Sequence, residues 1–260
     1  MIPPIDTFED LIAIVRQLRV DCPWDREQTH ESIAPLIIEE AYEVKESITK
    51  GADNELRKEL GDILLHVVMH SVMAEERKAF TLDDVIQTLS KKLVHRHPHV
   101  FGNAEVQDTE TVKRNWEQLK MAEGRVSIFD GTPKALPALQ RAGRVQEKAS
   151  KVGFDWPDRT GVWEKVREEV EEFYQEAESG ASQEKMTEEF GDLLFALVNI
   201  ARFLEIHPEE ALQGTINKFI DRFQHIENRL KEEEKSFEDV DLEAMDEFWN
   251  EAKQQERSMR

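Results

Sequence analysis

The sequence is poor in the groups on which many protein classes depend. A single cysteine, Cys22, stands among 260 residues, so no disulfide closes within the chain, and such usage fits a reducing cytoplasm. No apolar run approaches the roughly 20 residues that a membrane-spanning helix needs. The opening Met1-Ile2-Pro3-Pro4-Ile5-Asp6 lacks the basic and apolar regions of a secretory leader. Basic residues are outnumbered: 34 Lys and Arg against 55 Asp and Glu leave a formal charge of -21, the wrong sign for gripping a nucleic-acid polymer. Neither G-x-x-x-x-G-K-[ST] nor G-x-G-x-x-G occurs, and no Ser-His-Asp, Cys-His or H-E-x-x-H arrangement can be assembled. The expectation is a cytoplasmic protein with no membrane and no nucleic-acid partner. Its 39% hydrophobic and 34% charged residues suit a folded helical chain with room for two domains.

What the chain has in abundance is acid, set in a pattern stated twice. The first copy is Glu39-Glu40-Ala41-Tyr42-Glu43 followed by Glu59-Leu60-Gly61-Asp62; the second is Glu168-Glu169-Val170-Glu171-Glu172 followed by Glu189-Phe190-Gly191-Asp192. Ile33, Leu36, Ile37, Ala41, Val44 and Ile48 recur at helical steps, with Glu40 and Glu43 along the same stripe. Leu56, Leu60, Ile63, Leu64, Val67 and Val68 predict the face of the next helix, with Glu59 and Asp62 at its edge. One E-E-x-x-E arises easily on a solvated helix. Recurrence of all the acids, in order and beside an apolar face, favours a cation site, because carboxylates there are costly unless paired, protonated or bound to a metal. The pattern is E-x-x-D rather than the E-x-x-H of di-iron bundles, which points to Mg²⁺ or Mn²⁺. Mg²⁺ keeps waters and usually shares its remaining positions with substrate phosphates. A water activated by Mg²⁺ and a carboxylate is then the natural nucleophile.

Taken in order, a helix capped by Asp6 or Thr7 runs to a Pro-containing break at Asp21-Cys22-Pro23-Trp24-Asp25. Thr29 or Ser32 opens the first acidic helix, Lys50 to Asn54 turns the chain, and the Glu59/Asp62 helix continues to about Lys78. Thr81 opens a helix with Val85, Ile86, Leu89, Leu93 and Val94 as its apolar face. His95, His97 and His99 read better as a helix C-terminus than as a zinc site. A short helix is expected from Thr109 to Met121, and a linker over 124–137, rich in Gly and Pro. Helices follow from Ala138 to Lys151, through Val162, Val166, Val170, Phe173 and Ala177, then through Leu193, Leu194, Leu197, Val198 and Ala201, from Pro208 to about Lys235, and from Leu242 to Glu256. The repeat extends past the acids: Lys92 and Arg96 match Lys218 and Arg222, His99-Val100 matches His225-Ile226, and Trp116 with Lys120 matches Trp249 with Lys253. The reading is all-α, two tandem homologous helical-bundle domains at 1–123 and 138–260 joined by the linker. Lys185, Lys218 and Arg222 are candidate polyphosphate cations or ordinary solvated residues, and Trp249 is a core residue or a platform for a base.

These residues resemble the MazG nucleoside triphosphate pyrophosphohydrolases of the all-α NTP pyrophosphatase superfamily, over essentially the whole chain. The most specific stretches are Cys22-Pro23-Trp24-Asp25 with Gln28-Thr29-His30 leading into Glu39-Glu40-Ala41-Tyr42-Glu43, then His97 to Gly102 and Val152-Gly153-Phe154-Asp155-Trp156. The resemblance implies Mg²⁺-dependent hydrolysis of NTPs and dNTPs to monophosphate and pyrophosphate by a homodimer. It places metal ligands at Glu169, Glu172, Glu189 and Asp192 and nucleotide contacts at Lys165, Glu168, Lys185, Glu188, Lys218, Arg222 and Trp249, with Glu168 also a candidate to orient the attacking water. Glu40, Glu43, Glu59 and Asp62 match the same motif as a second site, but the first half has no lysine where Lys185 stands. In some members of the family the C-terminal half is the active one, so the resemblance makes that half the expected main catalytic domain, although both motifs are intact here. The competing expectation is a regulatory module that binds nucleotide without hydrolysing it.

Overall fold

The computed structural model describes residues 6–103, 108, 111–112, 115–116, 119, 124 and 126–258, and its regular structure among these is helical. The chain forms two compact units, 1–107 and 108–260. Residues 124–137, expected as a linker, lie within the second unit, where the buried Lys148 ammonium donates to the Asp130 carbonyl at 2.9 Å. Most of the helix expected from Thr109 to Met121, Lys120 included, lies outside the described residues.

Unit 1 contains α1 (Phe8–Asp21), α2 (Pro23–Glu27), α3 (His30–Lys50), α4 (Asp53–Glu76), α5 (Leu82–Arg96) and α6 (Pro98–Phe101). Thr7, Thr29 and Thr81 each close a capping box with the residue three positions on, satisfying amides that the first helical turn leaves open. The expected break at Cys22-Pro23 holds a five-residue helix instead, because proline at the first helical position loses no hydrogen bond. α3 and α4 form an antiparallel hairpin that turns at Gly51, whose φ of 64° suits glycine. α1 packs across α4, and Val15, Ile33, Val68, Met69, Val72, Met73 and Leu82 make the core.

Unit 2 contains α7 (Ala138–Lys151), α8 (Arg159–Ser179), α9 (Gln183–Phe203), α10 (Pro208–Glu232), a 3₁₀ turn (Phe237–Asp239) and α11 (Leu242–Ser258). α8 and α9 repeat the hairpin and turn at Gly180, φ 72°. α7 packs on α9 and α10, in the role that α1 has on α4. Val162, Val166, Ala196 and Ile200 bury between the hairpin helices, and Ile226, Leu230 and Phe248 form a second core between α10 and α11.

Two expected faces are corrected. In α4 the residue that turns inward is Glu59, 4% exposed, while Leu60 is 51% exposed and Leu64 and Val67 also face out. The α5 face of Ile86, Leu89, Leu93 and Val94 is exposed too. α4 is apolar on more than one side, whereas α5 has a single apolar stripe of which only Leu82 is buried.

Candidate metal and substrate site

The hairpins place the repeated acids side by side, because residues three apart on a helix share a face and the partner helix brings its own carboxylate across. In unit 2, carboxylate oxygens of Glu169, Glu172 and Glu189 lie within 4.8 Å of one another; in unit 1, those of Glu40, Glu43 and Glu59 do the same. Asp62 and Asp192 lie outside these groups of three, each one turn along its helix from the clustered glutamate. Glu169 is 5% exposed. Its charge is met by the Lys165 ammonium at 2.7 Å, which also reaches Glu168 at 2.7 Å. Those two carboxylates, Glu168 foremost, hold Lys165 charged well above the usual lysine range. Lys185 stands between Glu176, at 3.0 Å, and Glu189, at 3.5 Å, and is likewise shifted upward, mainly by Glu176.

In unit 1 the sole ammonium on the buried acid among the described residues is Lys58, 3.0 Å from Glu59 Oε1, while Glu59 Oε2 is buried without a hydrogen-bond partner. The neighbouring Glu59 carboxylate, by hydrogen bonding and repulsion, pushes the Glu43 pKa up. Crowded carboxylates with an orphaned buried oxygen are what a divalent cation relieves, and an all-oxygen donor set fits a hard ion.

A crevice of about 800 Å³ opens beside the cluster of unit 2, with Lys165, Glu169 and Asp192 in its lining. Its walls come from α7, α9 and the Gly153-Phe154-Asp155-Trp156 loop. Gln146, Asn199 and Arg202 supply polar groups. None of these three was picked out by sequence reasoning, because a lone amide or guanidinium on an amphipathic helix carries no spacing signal. The loop itself was visible, as one of the specific stretches of the resemblance.

The remaining candidates sit elsewhere in unit 2. Lys218 and Arg222 are on α10; Arg222 makes paired hydrogen bonds to Glu256 at 2.9 and 2.8 Å and lies 5.3 Å from the Trp249 ring. Trp249 also meets Phe219 at 5.2 Å with the rings tilted by 57°, and packs against the α10–α11 core. Neither Arg222 nor Trp249 lines the crevice. Glu188 is exposed on α9. His95 and His97 follow the expected C-terminal reading, since α5 ends at Arg96 and His97 Nδ1 lies 2.6 Å from the Leu93 carbonyl, whereas His99 lies within α6.

The model of the MazG nucleotide pyrophosphohydrolase domain matches twice, over residues 28–101 and 160–227, so each match contains one acidic cluster. The chain belongs to the MazG nucleotide pyrophosphohydrolase family. It is 43% identical, over 95% of both chains, to the "Nucleoside triphosphate pyrophosphohydrolase/pyrophosphatase MazG" of Thermotoga maritima. It is 40% identical to the "Nucleoside triphosphate pyrophosphohydrolase" of Escherichia coli K12, over 97% of this chain and 99% of that one. The crystal structure of a mazG-related protein from Thermotoga maritima aligns with 44% of this chain and 98% of its own, at 26% identity and a TM-score of 0.39.

Proposed function

We propose that the protein is a Mg²⁺-dependent nucleoside triphosphate pyrophosphohydrolase that converts NTPs and dNTPs to monophosphate and pyrophosphate, with unit 2 as the working half. The observation that carries this reading is the gathering of Glu169, Glu172 and Glu189 beside an open crevice, in a chain whose full-length relatives bear that activity in their names. Those three glutamates, with Asp192 one turn on, would hold Mg²⁺, and Mn²⁺ has the same preference for oxygen. Bound there, the ion offsets triphosphate charge and makes water a stronger acid.

The chain's own groups do the rest. Glu168 is the exposed carboxylate of the Lys165 pair, free to turn from the ammonium and take a proton from water. Lys165 and Lys185 stand at the edge of the acids, where their charges can pass from carboxylate to phosphate oxygens. Lys218, Arg222, Glu188 and Trp249 enter as the further nucleotide contacts that the family resemblance implies. A phosphate that takes Arg222 must displace Glu256. A homodimer is part of the proposal. It accounts for the apolar faces of Leu60, Leu64, Leu89 and Leu93 in unit 1 and of Phe190, Leu194, Ile216 and Phe219 in unit 2, all exposed in the single chain. We place the protein in the cytoplasm, in keeping with its one cysteine.

The test is product analysis of NTP and dNTP incubations with Mg²⁺ and with chelator. Monophosphate and pyrophosphate in equal amounts, only with the metal, are expected. Nucleoside diphosphate plus phosphate would refute the reaction, and tight nucleotide binding without any product would favour the regulatory module.

A further inference from the structure

We infer that Lys165 and Lys185 are built-in counterions of the unit 2 acids, and that they make binding of the divalent cation depend on arrival of the triphosphate. The inference deepens the metal and triphosphate site proposed above and rests on it. Each helix of the hairpin contributes one lysine, placed one turn ahead of a clustered glutamate on the same helix: Lys165 before Glu169 on α8, and Lys185 before Glu189 on α9. The Lys165 ammonium lies 2.7 Å from Glu169, whose side chain is only 6% exposed. Lys185 lies 3.5 Å from Glu189 and 3.0 Å from Glu176 across the hairpin. Two of the three clustered carboxylates therefore carry an ammonium before any metal arrives.

Helix stability does not account for this arrangement, because lysine ahead of glutamate is the weaker order for a pair one turn apart. Nor does the duplication, since in the register of the acids unit 1 has Leu36 and Glu55 at these two positions. The electrostatic consequence is direct. A bare divalent cation must either push Lys165 off a buried carboxylate or settle beside its positive charge, and both lower its affinity. A triphosphate changes the balance. Its oxygens accept the ammonium groups at short range, which frees Glu169 and Glu189 for the metal and offsets the lost ion pairs. The two lysine side chains are 40% and 49% exposed, so each can turn without disturbing the core. Cation and nucleotide then favour one another by a single coupling factor, equal in both directions.

The probe is Mn²⁺, its free ion read by electron paramagnetic resonance, alone and with α,β-methylene-ATP, which resists cleavage between its first two phosphates. Lys165→Met should bind Mn²⁺ alone about fivefold or more tighter than wild type, a gain absent from Lys165→Met/Glu172→Gln. The same variant should bind the analogue at saturating Mn²⁺ about fivefold or more weaker, so the two affinities move in opposite directions. Lys185→Met should follow with smaller effects. Lys165→Arg keeps the charge and should stay within about twofold of wild type in Mn²⁺ binding. A lysine that merely supports the fold would not split the two affinities in this way. Mn²⁺ binding no tighter in Lys165→Met than in wild type would overturn the inference, and so would a gain that survives Glu172→Gln. The hydrolase reading fails separately: wild type that binds Mn²⁺ and the analogue but releases no pyrophosphate from ATP would sink that reading and leave the counterion role standing. Wild type that binds neither would remove the site, and the counterion role with it.

Discussion

Unit 1 and unit 2 carry the same three-glutamate cluster and differ one layer beneath it. In the register set by the acids, Leu36 stands where unit 2 has Lys165, His66 where it has Ala196, Met69 where it has Asn199 and Val72 where it has Arg202. Met69 and Val72 are buried against Val15 of α1, so these positions form solid core in unit 1. In unit 2 the small or polar residues at the same positions line the crevice. His66, 8% exposed, belongs to a cluster in which His30 and His70 share a hydrogen bond between their Nδ1 atoms at 2.7 Å. The duplicated carboxylates thus sit on different layers: among the described residues, packed core lies beneath those of unit 1 and a crevice lies beside those of unit 2, which is why the proposal puts the substrate in unit 2.

The comparison breaks most visibly at the metal ligands. Glu172→Gln should lower pyrophosphate release by about a hundredfold or more, with the helical circular dichroism unchanged, whereas Glu43→Gln should alter the rate less than about twofold. A smaller loss follows from transplanting the unit 1 residue into unit 2. Ala196→His should fill the crevice, lower kcat/KM by about tenfold or more, and cost about 1–3 kcal/mol of stability from overpacking; steady-state kinetics with urea denaturation reads both. In unit 1 the matching core change, Met69→Ala, should cost about 2–4 kcal/mol through the cavity it leaves, with turnover by folded protein within about twofold of wild type.

The smallest effect is in pH. Burial, aided by the imidazoles of His30 and His66, holds His70 below the usual histidine range. The unfolded chain therefore takes up this proton first as pH falls through about 6.5. The stability tied to neutral His70 is complete above that pH and is lost below it. Thermal melts of the wild type from pH 8 to 5 should show this decline, and His70→Phe should flatten it; an identical slope in the variant would remove His70 as its source.

Much of this was legible in the sequence, for reasons tied to spacing. The acids recur in register, so the two hairpins and the pairing of Glu40 with Glu43 and Glu169 with Glu172 could be read directly. The caps at Thr7, Thr29 and Thr81 and the turns at Gly51 and Gly180 follow from local chemistry. The inward face of α4 was not legible. Leu60, Leu64 and Val67 are as apolar as Val68, and it is tertiary packing, with Val15 of α1 for Met69 and Val72 and with Glu40 and Glu43 of α3 for Glu59, that decides which residues turn inward. The same limit hid the crevice. Gln146 and Asn199 acquire meaning from the Phe195 carbonyl and from Arg202, contacts that no periodicity encodes.

The most direct test of the two-unit account is pyrophosphate release with Mg²⁺ by wild type, by Glu40→Gln/Glu43→Gln and by Glu169→Gln/Glu172→Gln, all assayed as folded protein. The account predicts full or nearly full activity in the first pair and none in the second. Activity lost with Glu40→Gln/Glu43→Gln and kept with Glu169→Gln/Glu172→Gln would contradict it and move the chemistry to unit 1.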